Sequence, residues 1–300
     1  MHPALPFRSW RPGDSSSGPT TPDQHVLRAV GAVLGAVDAV LPPDGWHLKG
    51  SAALLGWAGP GARIPEDVDL ALAESVAGAL LATGKLPSPA RGTRVVVLRS
   101  ERMTFHRADR PPVHRALARV EARGLAVDVP LNLALIPDHV AFADPGTRLL
   151  VFPGGPEPEG VPAATYGRCL AQKLLRYTLH RSGGRRATRW TDLLDFLICA
   201  GSYRAPRLAQ WTLRADIAAE LAVMERDWPS LPAPPAEWLD FWDAAMFRYG
   251  HSYGRLDEAV AKAEAFWGPV LEEGPTWEGS PSGVEWDPDA WEWRKAAGFG

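Results

Sequence analysis

The sequence predicts an α/β (α+β) protein with a mixed first half and a mostly helical second half. Runs rich in β-branched or apolar residues, such as RVVVLR at 94–99 and LAVDVPLNLALI at 125–136, are typical of strands and lie in the first half. Segments with helical periodicity, such as YGRCLAQKLLRYTLH at 166–180, lie in the second half. With 300 residues and 46% hydrophobic content, the chain suits one large or two medium globular domains.

The first half contains the elements of a mixed sheet. Residues 1–22 are rich in Pro, Ser and Gly and are predicted to be a disordered arm. A helix is predicted over 23–41, because Asp23 suits its start and Pro42-Pro43 ends it. Pro130 within a strand indicates an edge or a bend. We therefore predict one domain over 23–151, with further helices at 52–57 and 74–83 and strands at 67–73, 94–99, 116–122 and 125–136.

The second half is predicted to be helical. FPGGPEPEGVP at 152–162 is typical of a linker. Residues 271–300 form a Trp-rich tail that we expect to be irregular. Nine of the 13 Trp residues follow residue 200, and packing in cores and interfaces is the favoured interpretation of them. The helical domain is predicted over 163–270, with helices at 166–180, 189–200, 204–226 and 236–266.

Charge and cysteine content narrow the possible classes of protein. With a formal charge of −3 and a pI near 6.3, the chain has no overall positive charge of the kind that binds nucleic acid, so any basic site must be local. Cys169 and Cys199 occur in apolar helical contexts, and we interpret them as small core residues in a reducing compartment. No segment has the pattern of a signal peptide or of a membrane span. We therefore expect a cytoplasmic protein without a membrane partner.

Three aspartates in strand-like runs are the first candidates for chemistry. Asp67 and Asp69 alternate with apolar residues, so they point to the same face of a strand. Asp128 lies between Val127 and Val129 in a second apolar strand. Three carboxylates that converge from neighbouring strands form a hard-oxygen site suited to Mg²⁺. The alternative is structural: Asp67 accepts hydrogen bonds in a turn, and Asp128 pairs with an Arg.

A Gly-Ser pair precedes the aspartates and favours a phosphate site. Gly50 permits close approach of the backbone, and Ser51 offers a hydroxyl at the start of a predicted helix. Backbone N–H groups at a helix N-terminus suit a phosphate. A phosphate cradle followed by a carboxylate pair is what phosphoryl transfer on a nucleoside triphosphate (NTP) needs.

These residues resemble the DNA polymerase beta-type nucleotidyltransferases, through Gly50-Ser51, the Asp-Val-Asp at 67–69 and the later Asp128. The stretches LKGSAALLGW and RIPEDVDLAL look like the opening of the AbiEii/AbiGii-type toxin nucleotidyltransferases, a group that includes the MenT-like toxins. LAQKLLRYTLHRSGGRRATRWTDLLDF, at 170–196, is similar to a later segment of that family. The resemblance covers roughly residues 25–270. It implies a polymerase beta-like nucleotidyltransferase domain followed by a mostly helical domain.

The resemblance implies roles for individual residues. Gly50 and Ser51 would contact the nucleotide phosphates, and Asp67 and Asp69 would bind Mg²⁺. Asp128 would be the general base or would help to hold a second metal ion.

Three further residues are matched in the same way. Lys173 would bind the triphosphate, Arg63 could also reach the phosphates, and Asp192 matches the Asp that closes the last motif. From the residues alone, Lys173 lies at the edge of an apolar helix stripe, where it either extends to solvent or points into a cleft. Asp192 could equally be a carboxylate that stabilises the first turn of a helix.

The implied activity is Mg²⁺-dependent transfer of a nucleotide from an NTP to an acceptor, an enzyme of the EC 2.7.7 type. The leading hypothesis is a toxin of a toxin–antitoxin pair, with the tRNA 3′ end as acceptor and a cognate antitoxin as partner. The alternatives are a nucleotidyltransferase acting on a small molecule such as an antibiotic, and a catalytically silent nucleotide-binding module.

A local basic cluster is the candidate for RNA contact. HRSGGRRATR at 180–189 places four arginines around a Gly-Gly pair. Arginine can bind phosphate bidentately, so this cluster could guide an RNA end. The alternative is a solvated loop whose arginines cap helices or pair with nearby aspartates. The four residues are Arg181, Arg185, Arg186 and Arg189.

Overall fold

In a computed structural model, the chain forms two compact units. The sheet unit takes its described residues from Arg11–Trp57 and Ile64–Thr165, and the helical unit from Ala58–Arg63 and Tyr166–Gly300. The structure describes residues 22–59, 61–82, 84–87, 92–103, 113–122, 125–138, 148–150, 160–178, 190–224, 227–249, 253–272 and 283–296.

The sheet unit is built on one eight-stranded mixed sheet, which confirms the predicted α/β class. Its helices are α1 (Pro22–Asp38), α2 (Gly50–Ala58) and α3 (Gly78–Leu81). Its strands are β1 (Trp46–Lys49), β2 (Val68–Ala73), β3 (Gly84–Leu86), β4 (Thr93–Met103), β5 (Val113–Ala122), β6 (Leu125–Ile136), β7 (Arg148–Leu150) and β8 (Val161–Ala163).

The strand order is β3-β4-β5-β6-β2-β1-β8-β7. Neighbouring strands are antiparallel except for two parallel pairs, β2 with β6 and β1 with β8. Strand β2 is therefore central, with β1 on one side and β6 on the other. Any side chain near its start has neighbours on both flanking strands.

Apolar alternation explains how β2 is held in the sheet. Val68 and Leu70 are fully buried, and the following residues of the strand are buried as well. Helix α1 packs on the sheet through an apolar stripe that includes Val33, Leu34 and Val37. Burial of these side chains removes apolar surface from water, at roughly 25 cal/mol per Å². The candidate site residues on β2 are thus anchored by buried neighbours.

Pro130 does not place β6 at an edge of the sheet, because β6 is paired on both sides. The pairing of β6 with β2 begins at Leu131, opposite Val68. Pro130 lies one residue before this segment, where β6 has no β2 partner. The missing N–H of proline is tolerated at such a position.

The helical unit contains five α-helices among its described residues. They are α4 (Tyr166–Thr178), α5 (Trp190–Ala200), α6 (Gln210–Met224), α7 (Leu239–Tyr249) and α8 (Leu256–Leu271), with a 3₁₀ turn at Ala236–Trp238. The single helix predicted over 236–266 is wrong in one respect: α7 and α8 are separate. Gly254 lies between them with φ of 79°, a conformation outside the helix region.

The C-terminal part of the helical unit is more ordered than predicted. Strands β9 (Val284–Asp287) and β10 (Glu292–Lys295) form an antiparallel hairpin, where an irregular tail was expected. The indole Nε1 of Trp286 donates to the carbonyl of Ala200 at 2.7 Å, and that of Trp293 donates to Phe266 at 2.8 Å. Aromatic packing with paired N–H groups therefore orders this segment.

Three further sequence predictions can be compared with the structure. Val161 and Pro162, at the end of the predicted linker 152–162, belong to strand β8. Cys169 and Cys199 are buried free thiols, as predicted, and burial raises the pKa of both. None of the described helices has the length and hydropathy needed to cross a membrane.

Candidate active site

Asp67 and Asp69 converge at the start of β2. Asp69 is the second residue of the strand, and Asp67 comes directly before it. Both side chains are half-buried, between the fully buried Val68 and Leu70. The structure thus brings the two carboxylates together, as the alternation predicts.

Asn132 joins the two carboxylates, and it was not among the site residues predicted from the sequence. In the parallel pairing of β2 with β6, Asn132 lies directly beside Asp69. Its Nδ2 donates to Asp67 Oδ2 at 2.8 Å and to Asp69 Oδ1 at 3.0 Å. A single amide nitrogen therefore lies between two carboxylate oxygens. A polar residue between Leu131 and Leu133 was the available signal, of the same kind that pointed to Asp128.

Gly50 lies against Asp69 at the start of α2. Its φ is 68°, and a Cβ on Gly50 would come within 2.1 Å of Asp69 Oδ2. Glycine is thus required both by the backbone conformation and by the closeness of the carboxylate. Ser51, the second residue of α2, is buried. Asp69 and the first residue of α2 are in contact at the helix N-terminus, where the helix dipole favours negative charge.

Asp128 is not placed with the other two aspartates, which corrects the predicted three-carboxylate group. It precedes Asn132 by four strand residues, about 13 Å at the usual strand rise. Its carboxylate accepts two hydrogen bonds from Arg119, at 2.7 and 2.9 Å, and both side chains are exposed. These hydrogen bonds hold the pKa of Asp128 below its ordinary value. The alternative interpretation, an aspartate paired with an arginine, describes this position.

No group of three Asp, Glu, His or Cys side chains within the described residues is arranged to hold a metal ion. The donor set next to Gly50 is instead two carboxylates and one amide. Mg²⁺ is commonly held by one or two carboxylates together with substrate phosphates and water. The pair Asp67 and Asp69 fits that pattern, so these two residues could hold Mg²⁺.

A row of side chains crosses the sheet at the carboxylates. Lys49 lies opposite Asp69 on β1, and Arg115 lies opposite Asn132 on β5. Directly opposed residues share one face of a sheet, and neighbouring strands are about 5 Å apart. Within the described part of the chain, neither Lys49 nor Arg115 forms an ion pair. Two cations thus flank the acidic pair on β2: Lys49 on the adjacent strand β1, and Arg115 on β5, beyond β6.

The helical unit contains a second group of predicted site residues, and here they are buried. Lys173 is only 2% exposed, and its Nζ lies 2.6 Å from Asp195 Oδ2 and 3.3 Å from Asp192 Oδ1. Arg63 Nε and Nη2 donate to the same Asp195 at 3.3 Å, and Arg176 pairs with Asp192. Lys173 therefore does not extend to solvent, which was one interpretation of its sequence context.

Electrostatics stabilise this buried group. Burial alone would raise the pKa of the Asp195 carboxyl, but Lys173 and Arg63 hold it below its ordinary value. The described partners of Asp195 are Lys173 and Arg63. We name Arg63, Lys173, Arg176, Asp192 and Asp195 the buried ion network. A nucleotide role for Lys173, Arg63 and Asp192 stays a prediction.

The proposed RNA contacts Arg181, Arg185, Arg186 and Arg189 lie outside the described residues. Their role therefore stays a prediction from sequence.

Several solved structures are distantly similar to the chain, and two of them come from Helicobacter pylori. No family model and no curated protein matches the chain. A candidate nucleotidyltransferase from H. pylori is similar, with a TM-score of 0.44, 15% identity and coverage of 84% of this chain and 94% of that one. The JHP933 protein from Helicobacter pylori gives a TM-score of 0.46, 13% identity and coverage of 84% and 92%. At these TM-scores neither structure bears on the chemistry of this chain.

Proposed function

We propose that the protein is a Mg²⁺-dependent nucleotidyltransferase that transfers a nucleotide from an NTP to an acceptor hydroxyl, with release of pyrophosphate. One observation carries the proposal: Asp67 and Asp69 converge on a single amide nitrogen, directly beside Gly50 at the start of a helix. Phosphoryl transfer depends on positioning and on charge stabilisation, and this arrangement supplies residues for both.

The acidic pair and the start of α2 have separate tasks in this proposal. Asp67 and Asp69 would hold Mg²⁺, which would neutralise charge on the triphosphate and favour ionisation of the acceptor hydroxyl. The N–H groups at the start of α2, around Gly50 and Ser51, would bind the phosphates. Gly50 has no side chain, so the phosphates and Asp69 can approach the same backbone.

The flanking cations balance the remaining phosphate charge. Lys49 and Arg115 share the sheet face of Asp69 and Asn132. An NTP carries more negative charge than one Mg²⁺ neutralises, so cations within two strands of the site favour its binding. Asp128 has no part in this proposal, because its carboxylate pairs with Arg119 further along β6.

The acceptor is proposed from sequence. The resemblance of 47–72 and 170–196 to the AbiEii/AbiGii-type toxins supports the tRNA 3′ end as acceptor, in the cytoplasm, with an antitoxin as regulator. A small-molecule acceptor is the second candidate, and a silent nucleotide-binding module is the third. A small-molecule nucleotidyltransferase would use the same site, because Asp67 and Asp69 would bind the cation and the NTP in the same way for either acceptor.

The test is transfer of label from each of the four α-labelled NTPs, with Mg²⁺, to total RNA or to a panel of small hydroxylated molecules. We expect labelled tRNA from the wild type, and loss of at least about 100-fold in rate for Asp67→Asn. Glu121→Gln is the matched control, since Glu121 is an exposed carboxylate paired with Arg94 on the same sheet. A folded Asp67→Asn protein with unchanged transfer would contradict the site. Labelled small molecules without labelled RNA would select the second candidate.

A further inference from the structure

We infer that Asn132 is an uncharged third ligand of the divalent cation, which changes from hydrogen-bond donor to oxygen donor when the cation binds. This inference rests on the proposed function and deepens it. It assigns a role to the side chain that occupies the place expected for a third carboxylate.

First, Asn132 occupies the position in the sheet where a third ligand was expected. Three carboxylates were expected from two neighbouring strands, and the register of β2 with β6 decides which residue of β6 lies beside Asp69. That residue is Asn132. Asp128 is four residues away and is paired with Arg119. A ligand contributed by β6 at this level of the sheet is therefore an amide.

The second step is charge. Asp67 and Asp69 are half-buried and close together, so their like charges repel each other. Asn132 Nδ2 lies between them, at 2.8 and 3.0 Å, and its two N–H groups stabilise both carboxylates. The amide nitrogen thus occupies the space between two carboxylate oxygens that a cation would take.

The third step is the chemistry of the amide. A primary amide carries a donor nitrogen and an acceptor oxygen on one carbon, and half a turn about the Cβ–Cγ bond exchanges them. With a cation between the carboxylates, the N–H groups would face a positive charge. The same half turn then presents Oδ1, which is a suitable ligand for Mg²⁺ or Mn²⁺.

With Asn132 as the third ligand, the cation site has a lower negative charge than a site of three carboxylates. Two carboxylates and an amide carry two negative charges, where three carboxylates would carry three. Ligand charge is one determinant of divalent-cation affinity. The wild-type site therefore holds the cation less tightly than a site with Asp at 132, and the triphosphate contributes the missing charge. Cation and NTP are expected to bind together.

The experiment measures binding of Mn²⁺ alone to the full chain, by electron paramagnetic resonance of the free ion. Asn132→Leu keeps the approximate size without a ligand oxygen, and Asn132→Asp adds a carboxylate. We expect affinity to fall about tenfold or more in Asn132→Leu and to rise about tenfold in Asn132→Asp. Glu121→Gln is the control and should match the wild type. Thermal unfolding in EDTA and in Mn²⁺ reports whether each variant is folded.

The outcomes separate this inference from the proposed function. Equal or tighter Mn²⁺ binding by folded Asn132→Leu would show that Asn132 only bridges the carboxylates, and would overturn the inference alone. If Asn132→Leu fails to fold, Asn132→Asp decides, because affinity equal to or below that of the wild type contradicts a ligand at this position. Wild-type binding that is absent, or unchanged by Asp67→Asn, would contradict the cation site and with it the proposed function.

Discussion

Gly50 and Asp69 are so close that neither can change independently. A methyl group on Gly50 would overlap the Asp69 carboxylate, and φ of 68° is strained for alanine. We expect Gly50→Ala to lower the free energy of unfolding by about 1–3 kcal/mol and to weaken Mn²⁺ binding. Chemical denaturation and ion titration measure the two effects. Gly78→Ala is the control, since it has no heavy atom within 4 Å of its added methyl group and lies in a helix.

Asp128 resembles Asp67 and Asp69 in its sequence pattern, but the register of β6 with β2 separates it from them. Its ion pair with Arg119 is exposed to water and screened by it, so it contributes little to stability. We expect Asp128→Asn to keep nucleotide transfer within about threefold of the wild type, because the side chain is remote from Asp67 and Asp69. The measurement is the transfer rate under saturating NTP. A loss comparable to that of Asp67→Asn would restore Asp128 as a catalytic residue.

Asp216 gives the helical unit a pH dependence. Burial raises the pKa of Asp216 to about 6, with Arg168 opposing the shift and Glu220 adding to it, and its Oδ2 has no hydrogen-bond partner among the described residues. The folded state binds this proton more tightly than the unfolded state, so stability falls as pH rises from about 4 to 6. Well above pH 6 the loss in the free energy of unfolding amounts to about 3 kcal/mol. Asp216→Asn should remove this slope, as measured by urea unfolding at pH 4.5 and 7.5. Parallel slopes for both proteins would contradict the assignment.

At the scale of elements, the buried ion network joins helices α4 and α5. Removal of Lys173 leaves Asp192 and Asp195 buried, at 0% and 4% exposure, with one cation fewer. We expect Lys173→Met to lower the free energy of unfolding by about 3–5 kcal/mol. Lys85→Met is the control, because Lys85 is exposed on β3. A melting temperature close to that of the wild type would show that Lys173 extends to solvent, as one sequence interpretation holds.

Acid should weaken the same network. The pKa of Asp195 is held below its ordinary value in the folded state, so its contribution is present above pH 4 and is lost as pH falls further. This direction is opposite to that of Asp216. Asp195 therefore makes stability depend on pH below the ordinary pKa of an aspartate, and Asp216 makes it depend on pH above that value.

Helices and strands were predictable from the sequence where neighbouring residues determine them. The contacts between side chains that are distant in sequence were not predictable. The β-branched run at 94–99 lies within strand β4, and the alternation at 67–70 places Asp67 and Asp69 together. Asn132 was missed because the register between strands depends on packing of the whole sheet. Lys173 was assigned to a surface or a cleft because its neighbours in sequence do not include Arg63, which is 110 positions away.

At the scale of the whole molecule, the C-terminal hairpin completes the aromatic core of the helical unit. The ring of Trp286 packs edge-to-face on Phe266, with centroids 4.8 Å apart, and Trp286 is 7% exposed. Trp267, which packs on the same Phe266, is fully buried. We expect Trp286→Ala to lower the free energy of unfolding by about 3–5 kcal/mol. Near-ultraviolet circular dichroism during denaturation measures the loss. Trp211→Ala, on the exposed side of α6, is the comparison and should have a smaller effect.

The parallel pairing of β2 with β6 also has a consequence for folding. Asp69 and Asn132 are 63 positions apart, and the strands between them pair locally in antiparallel fashion. Loop closure over such a distance is slow compared with hairpin formation. We therefore expect the geometry of the proposed cation site to form only after the β4–β5–β6 meander has joined β2. Before that step Asp67 and Asp69 would lack the amide that lies between them, so binding of Mn²⁺ during refolding should follow completion of the sheet.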